Sequence, residues 1–153
     1  MSYLEQGIEF YEKQNYEMST YYFKLASDLL DPSGLILYGI ALIHGQGCLQ
    51  KTELGVEYLE KGIHHGLVEL KTNSHISGAI KDEVALSCFE LGKCYENGIG
   101  CKKRLIQAAL YYEVSAKLGD INGMKKMQQM YRSGKGVKKN MEMSLYYQHL
   151  IPQ

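Results

Sequence analysis

Metal sites and nucleophile–base pairs are most often built from histidine and cysteine, and this chain has five of the first and four of the second. The histidines stand at His44, His64, His65, His75 and His149, the cysteines at Cys48, Cys88, Cys94 and Cys101. Cys-x5-Cys-x6-Cys has none of the short paired spacings of a zinc site. Four cysteines in 153 residues also fall short of the disulfide framework of a small secreted domain. A cysteine nucleophile needs a base within hydrogen-bond reach and a third group to orient it, whereas Cys88 falls on the core side of an amphipathic helix. His64-His65 and His44 come at helix ends, where imidazole interacts favourably with the C-terminal dipole and needs no further role. Gly45-Gln-Gly47, Gly98-Ile-Gly100 and Gly134-Lys-Gly136 could be taken for phosphate loops. Such loops follow a strand and open a helix, however, and these close one. We therefore assign no catalytic residue, no metal and no cofactor. The cysteines read as reduced thiols in a cytoplasmic protein.

The wider composition agrees with that reading. Seventeen basic side chains balance seventeen acidic ones, and only Arg104 and Arg132 are arginine, so no positive field exists to hold a nucleic-acid backbone. Lys102-Lys103-Arg104 and Lys138-Lys139 read as solvated loop edges. The N-terminus has no basic stretch followed by an apolar one, and the longest apolar run, Leu35 to Ile43, is interrupted by Gly39, so neither a signal peptide nor a membrane span is expected. Sixteen Gly and 13 Tyr beside 2 Pro suggest glycines with a recurring packing role.

Internal repetition explains that composition. A shift of 53 carries Gly45, Gly47, Cys48 and Tyr58 onto Gly98, Gly100, Cys101 and Tyr111. A further shift of 36 carries Leu91, Tyr95, Gly98, Gly100 and Tyr111 onto Met127, Tyr131, Gly134, Gly136 and Tyr147. Because 53 is 36 plus 17, an insertion of about 17 residues separates the second and third copies, and the polar, turn-rich Lys71–Ala79 stretch suits it. Within a copy, Cys88, Leu91 and Tyr95 lie at i, i+3, i+7, one face of a helix, and the Gly-x-Gly stops it. A second helix carries Ala108, Tyr111, Tyr112, Ser115 and Ala116 up to Gly119. The first copy lacks the Gly-x-Gly and turns directly from Tyr11 to Tyr16, with Asp31-Pro32 closing its second helix. The expected units are about 2–32, 33–67, 84–120 and 121–153 of a single domain spanning 1–153, with the insertion at about 68–83.

Leu91-Gly92-x-x-Tyr95-x-x-Gly98-x-Gly100, followed by Ala108, Tyr111-Tyr112, Ala116 and Gly119-Asp120, resembles the Sel-one-like repeats, relatives of tetratricopeptide repeats. The first unit, through Gly7, Tyr16, Phe23, Ala26 and Pro32, is closer to the tetratricopeptide pattern itself. Gln128 stands where the first-helix glycine of the pattern belongs, which implies looser packing in the fourth copy. The resemblance implies an all-α fold, a right-handed α-solenoid of about four helix-turn-helix repeats, and a non-enzymatic adaptor, scaffold or partner-sequestering role. Some bacterial members of the family carry paired cysteines and are associated with binding penicillin-like compounds. Here only Cys88 occupies a matching site, so a hydrolase-like or penicillin-binding activity is the lesser alternative.

By analogy with tetratricopeptide repeats, first helices line a concave groove. The positions expected to face it are Leu4, Ile8 and Tyr11, then Ile36, Ile40 and Ile43, then Phe89, Lys93 and Glu96, and finally Lys125, Gln129 and Arg132. Such a groove is apolar in its first half and cationic in its second, which suits an apolar or amphipathic peptide segment of another protein, its carboxylate end held by Lys93, Lys125 and Arg132. Two other readings of the second-unit isoleucines stay open. They are core, since a helix apolar all round is usually buried, or they form a self-associating face.

Overall fold

The computed structural model describes residues 1–73 and 78–153. His75 and the centre of the expected insertion lie outside the described residues. Within those residues the chain is all-α, with eight helices and no strand: α1 (Tyr3–Glu12), α2 (Tyr16–Asp28), α3 (Pro32–His44), α4 (Thr52–Thr72), α5 (Gly78–Asn97), α6 (Leu105–Lys117), α7 (Ile121–Ser133) and α8 (Met141–Leu150). They pack as two compact units, Met1–Val84 and Ala85–Gln153. The boundary falls inside α5, just after the expected insertion.

Side-chain caps start most of the helices. Ser2 and Glu5 form a reciprocal capping box at α1, Asn15 accepts from the Met18 amide at α2, and Asn140 accepts from the Met143 amide at α8. Asp31, followed by Pro32 at the first helical position, caps α3, and Asp120 caps α7 through the Gly123 amide at 2.9 Å.

The three Gly-x-Gly loops end α3, α5 and α7 as expected, and all six glycines take the left-handed backbone. One further hydrogen bond recurs in each loop. The amides of Lys51, Arg104 and Asn140 donate to the carbonyls of Leu42, Tyr95 and Tyr131, each nine residues earlier. The second glycine of the loop has an additional reason to be glycine. A Cβ on Gly47 would lie 2.0 Å from the Tyr16 carbonyl oxygen, and one on Gly136 would lie 2.6 Å from that of Leu105. The first and third loops therefore press their bare backbone on the first turn of the preceding second helix, α2 and α6. Thr20 strengthens the first of these contacts by donating its hydroxyl to the Gln46 carbonyl at 2.8 Å.

In unit 1, Phe23, Leu35, Ile36, Leu42, Leu59 and Val84 are buried; in unit 2, Leu91, Ala108, Tyr112, Met127 and Tyr147 are. Recurring tyrosines fill the gaps, Tyr38 edge-on to Tyr58, Tyr95 stacked on Tyr111 and Tyr131 stacked on Tyr147. The fourth helix pair does not loosen at Gln128. Ser144, small and buried, faces it and donates its hydroxyl to the Gln128 carbonyl at 3.0 Å, so the close approach is kept by the partner residue instead.

Among the described residues of the expected insertion, all but Asn73 are helical. Val68–Thr72 extends α4 to 21 residues, and the segment from Gly78 to Glu83 opens α5. Asn73 lies beyond the end of α4, and the centre of the polar Lys71–Ala79 stretch is outside the described residues. Gly66 lies against Val84, so the extended helices remain packed on one another within unit 1.

Candidate ligand-binding cleft

Ile36 and Ile43, expected in the groove, are core residues at 1% and 5% exposure. Glycines on α4 bring the helices close enough to explain this. The Ile36 Cγ1 lies 2.6 Å from where a Cβ on Gly62 would stand, and the Ile43 Cγ1 lies at the same distance from one on Gly55. Both isoleucines are therefore pressed against α4 and have no face left for a ligand. Ile40 is half-buried.

Leu4 is half-buried and Ile8 is 39% exposed, while Tyr11 is exposed with its ring edge-on to Tyr16. Phe89 is half-buried beside Tyr112, and the Lys93 ammonium lies over the Phe89 ring while pairing with Glu90 at 2.8 Å. Glu96 is tied into unit 2, accepting from the Tyr112 hydroxyl at 2.8 Å and from Lys126 at 3.0 and 3.2 Å. Burial works to raise the Glu96 pKa, but these two donors outweigh it and hold the carboxyl below its ordinary range. Lys125, Gln129 and Arg132 are exposed on α7, and Gln129 shares a recess of about 190 Å³ with Glu96 and Lys126.

A larger concavity opens in unit 1. It is a cleft of about 670 Å³ between the start of α1, the α2–α3 turn, the end of α4 and the start of α5, within the size range of ligand sites. Of the residues expected to bind a ligand, Leu4 and Ile8 line it. Leu29, Leu30 and Ile80 supply more apolar wall, and Leu29 is 72% exposed. Leu30 takes a left-handed backbone, φ +59°, which a non-glycine residue adopts at a cost. Its counterpart before the fourth unit is Gly119.

Three carboxylates, Asp31, Glu69 and Glu83, line the same cleft. The buried Ser33 hydroxyl donates to Glu83, and Asp31 holds the amides of Ser33 and Gly34. Burial pushes the Glu83 carboxyl above its ordinary value; the Ser33 hydrogen bond works against that rise, and the Asp31 charge adds to it. Glu69, Ile80 and Glu83 were missed in the sequence because they fall in the stretch taken for an insertion. The exposed Leu29-Leu30 pair just before the Asp31-Pro32 helix start was a signal that could have pointed here.

Among the described residues, no three His, Cys, Asp or Glu side chains gather to hold a metal ion. The cysteines are thiols. Burial pushes Cys88 up to about 12 and Cys94 up to about 11, far from the thiolate form that a nucleophile uses.

The model of the Sel1 repeat matches residues 2–29, 32–67, 85–120 and 129–147, most of the chain. The chain belongs to the Sel1 repeat family. Sel1 repeats are generally protein–protein interaction modules, and their scaffold is generally non-catalytic. The fold is shared with solved Sel1-type structures. A Sel1 repeat protein from Oxalobacter formigenes is 22% identical with a TM-score of 0.79, over 97% of this chain and 54% of that one. A protective antigen of uropathogenic Escherichia coli strains, displaying an SLR fold, is 18% identical with a TM-score of 0.80, over 97% of this chain and 29% of that one. This chain thus spans about half the length of the first and less than a third of the second. Comparison with curated proteins gave no match. Among the described residues, no helix of this Sel1 repeat chain is long and apolar enough to cross a membrane.

Proposed function

We propose that this chain is a non-enzymatic interaction module, an adaptor or a partner-sequestering protein of a reducing compartment such as the cytoplasm, that holds a peptide segment of another protein in the unit 1 cleft. The observation that supports the reading is the cleft itself, a concavity of about 670 Å³ walled by Leu4, Ile8, Leu29, Leu30 and Ile80. Apolar side chains gathered around an open concavity mark a place where a partner gains burial. At about 25 cal/mol per Å² of apolar surface removed from water, a few side chains seated there suffice for a transient complex.

Selection of peptides from a random display library on the intact protein tests this. Enriched peptides should lose binding to the Ile8→Asp, Leu29→Asp double variant while its helical circular dichroism is unchanged. Binding that survives the double variant refutes the cleft as the site.

A further inference from the structure

The cleft pairs an apolar wall with an unbalanced charge. Among the described residues, the lining that holds Ile8, Leu29 and Ile80 also includes the carboxylates of Asp31, Glu69 and Glu83 and no lysine, arginine or histidine. None of the three makes a salt bridge to a described residue. The bonds to Asp31 use Oδ1 and the bond to Glu83 uses Oε2, so each carboxylate keeps an oxygen for a further donor.

Like charges that converge in a partly desolvated space repel one another, and a cation entering among them removes that repulsion while gaining charge-assisted hydrogen bonds. Burial is the main cause that raises the Glu83 carboxyl, and the nearby Asp31 charge adds to it. Lysine and arginine suit such a site in a second way. Their aliphatic stems lie along apolar surface while their charged heads reach polar groups, and here the apolar wall and the carboxylates share one cleft.

Resting on the reading that this cleft holds a partner's peptide, we propose that its occupant is a segment carrying a lysine or arginine among apolar residues, with the basic head among Asp31, Glu69 and Glu83 and the apolar neighbours on Ile8, Leu29 and Ile80. The selectivity is opposite to that expected from the sequence, which looked to Lys93, Lys125 and Arg132 to receive a carboxylate.

The test takes the peptides enriched on the intact protein and synthesises each as an N-acetylated form, with its basic residue kept or replaced by norleucine. Affinities are measured by fluorescence anisotropy against wild type, Glu69→Gln and Glu83→Gln, leaving the helix cap Asp31 in place. The expected results are enrichment of lysine or arginine flanked by apolar residues, about tenfold weaker binding of the norleucine form, and about tenfold weaker binding of the basic form to the Glu69→Gln, Glu83→Gln double variant. The norleucine form should bind wild type and double variant alike, which separates a lost charge contact from a damaged fold, and added salt should weaken only the basic form. Binders without a basic residue, or affinities indifferent to both substitutions, overturn the inference while leaving the interaction module standing. A selection that returns no peptide at all overturns both.

Discussion

Alanine at Gly45 and alanine at Gly47 should destabilise unit 1 by different amounts, although both glycines are left-handed at φ +66° and +72°. Each substitution brings the steric penalty of that backbone, about 1–2 kcal/mol. At Gly45 the new methyl meets the Gln50 Cβ at 3.1 Å, which a shift of a few tenths of an ångström relieves. At Gly47 it lands 2.0 Å from the Tyr16 carbonyl oxygen and 2.8 Å from the Glu17 amide nitrogen, both backbone. Cβ contacts under 3.0 Å essentially do not occur, so the loop and the start of α2 must separate by about 1 Å. That movement breaks the 2.8 Å bond from Thr20 to Gln46, about 0.5–1.5 kcal/mol net, and loosens the surrounding packing. Gly45→Ala should therefore cost about 1–2 kcal/mol, and Gly47→Ala about 2–4 kcal/mol. Native-state hydrogen exchange of the α2 and α3 amides measures both losses without requiring the whole chain to unfold at once. Adding Thr20→Val supplies a cycle. It should cost about 1 kcal/mol in the wild-type background and close to nothing beside Gly47→Ala, because the bond is already gone. Equal losses at the two glycines, or full additivity with Thr20→Val, would refute the argument.

Tyr112→Phe removes a hydroxyl bonded to a charged acceptor inside unit 2 and should cost about 1.5–3 kcal/mol in urea denaturation. Because the folded state holds Glu96 below its ordinary range, that carboxylate contributes stability above its unfolded pKa and loses it as pH falls through the lowered folded value. Glu96→Gln should thus be more damaging near neutrality than in acid, as urea midpoints would show. Glu83 has the opposite sign. Its raised folded pKa means that stability declines as pH rises through the ordinary carboxylate range to the raised value. Glu83→Gln should gain on wild type as pH rises through and above the ordinary carboxylate range, read by the same melts. Maleimide followed by mass spectrometry should modify half-exposed Cys48 and Cys101 in the native protein, and Cys88 and Cys94 only after denaturation. Ile36→Ala and Ile43→Ala should each cost about 2–5 kcal/mol of stability, as core truncations do, and ligand contact alone would not produce such a loss.

The repeat itself was legible because its packing demands narrow choices at fixed intervals. A glycine must stand where backbones touch, a left-handed residue must end the helix, and a ring must fill the gap beside Tyr95 or Tyr131. Surface was less legible. Ile36 and Ile43 have the same residue type whether they meet a partner or meet α4, and only the glycines at 55 and 62, on another helix, decide the matter. Lys71 to Ala79 has turn-like composition, yet the helices on either side run into it, since tertiary packing such as Gly66 on Val84 outweighs weak local propensity. Residues of the cleft come from five separate helices and the α2–α3 turn. Their meeting is a property of the fold, and no short spacing in the chain announces it.

The contact beneath the second glycine of the first and third loops has a direction along the chain. Gly47 leans on Tyr16 and Gly136 leans on Leu105, so in both cases the support precedes the loop that uses it. A polypeptide leaves the ribosome N-terminus first and its domains fold in that order. Each of these loops therefore emerges onto a helix end that has already been synthesised. Losing C-terminal helices would leave both supports intact up to the break, whereas losing α1 and α2 would strip the Gly47 loop of the surface it was shaped to meet.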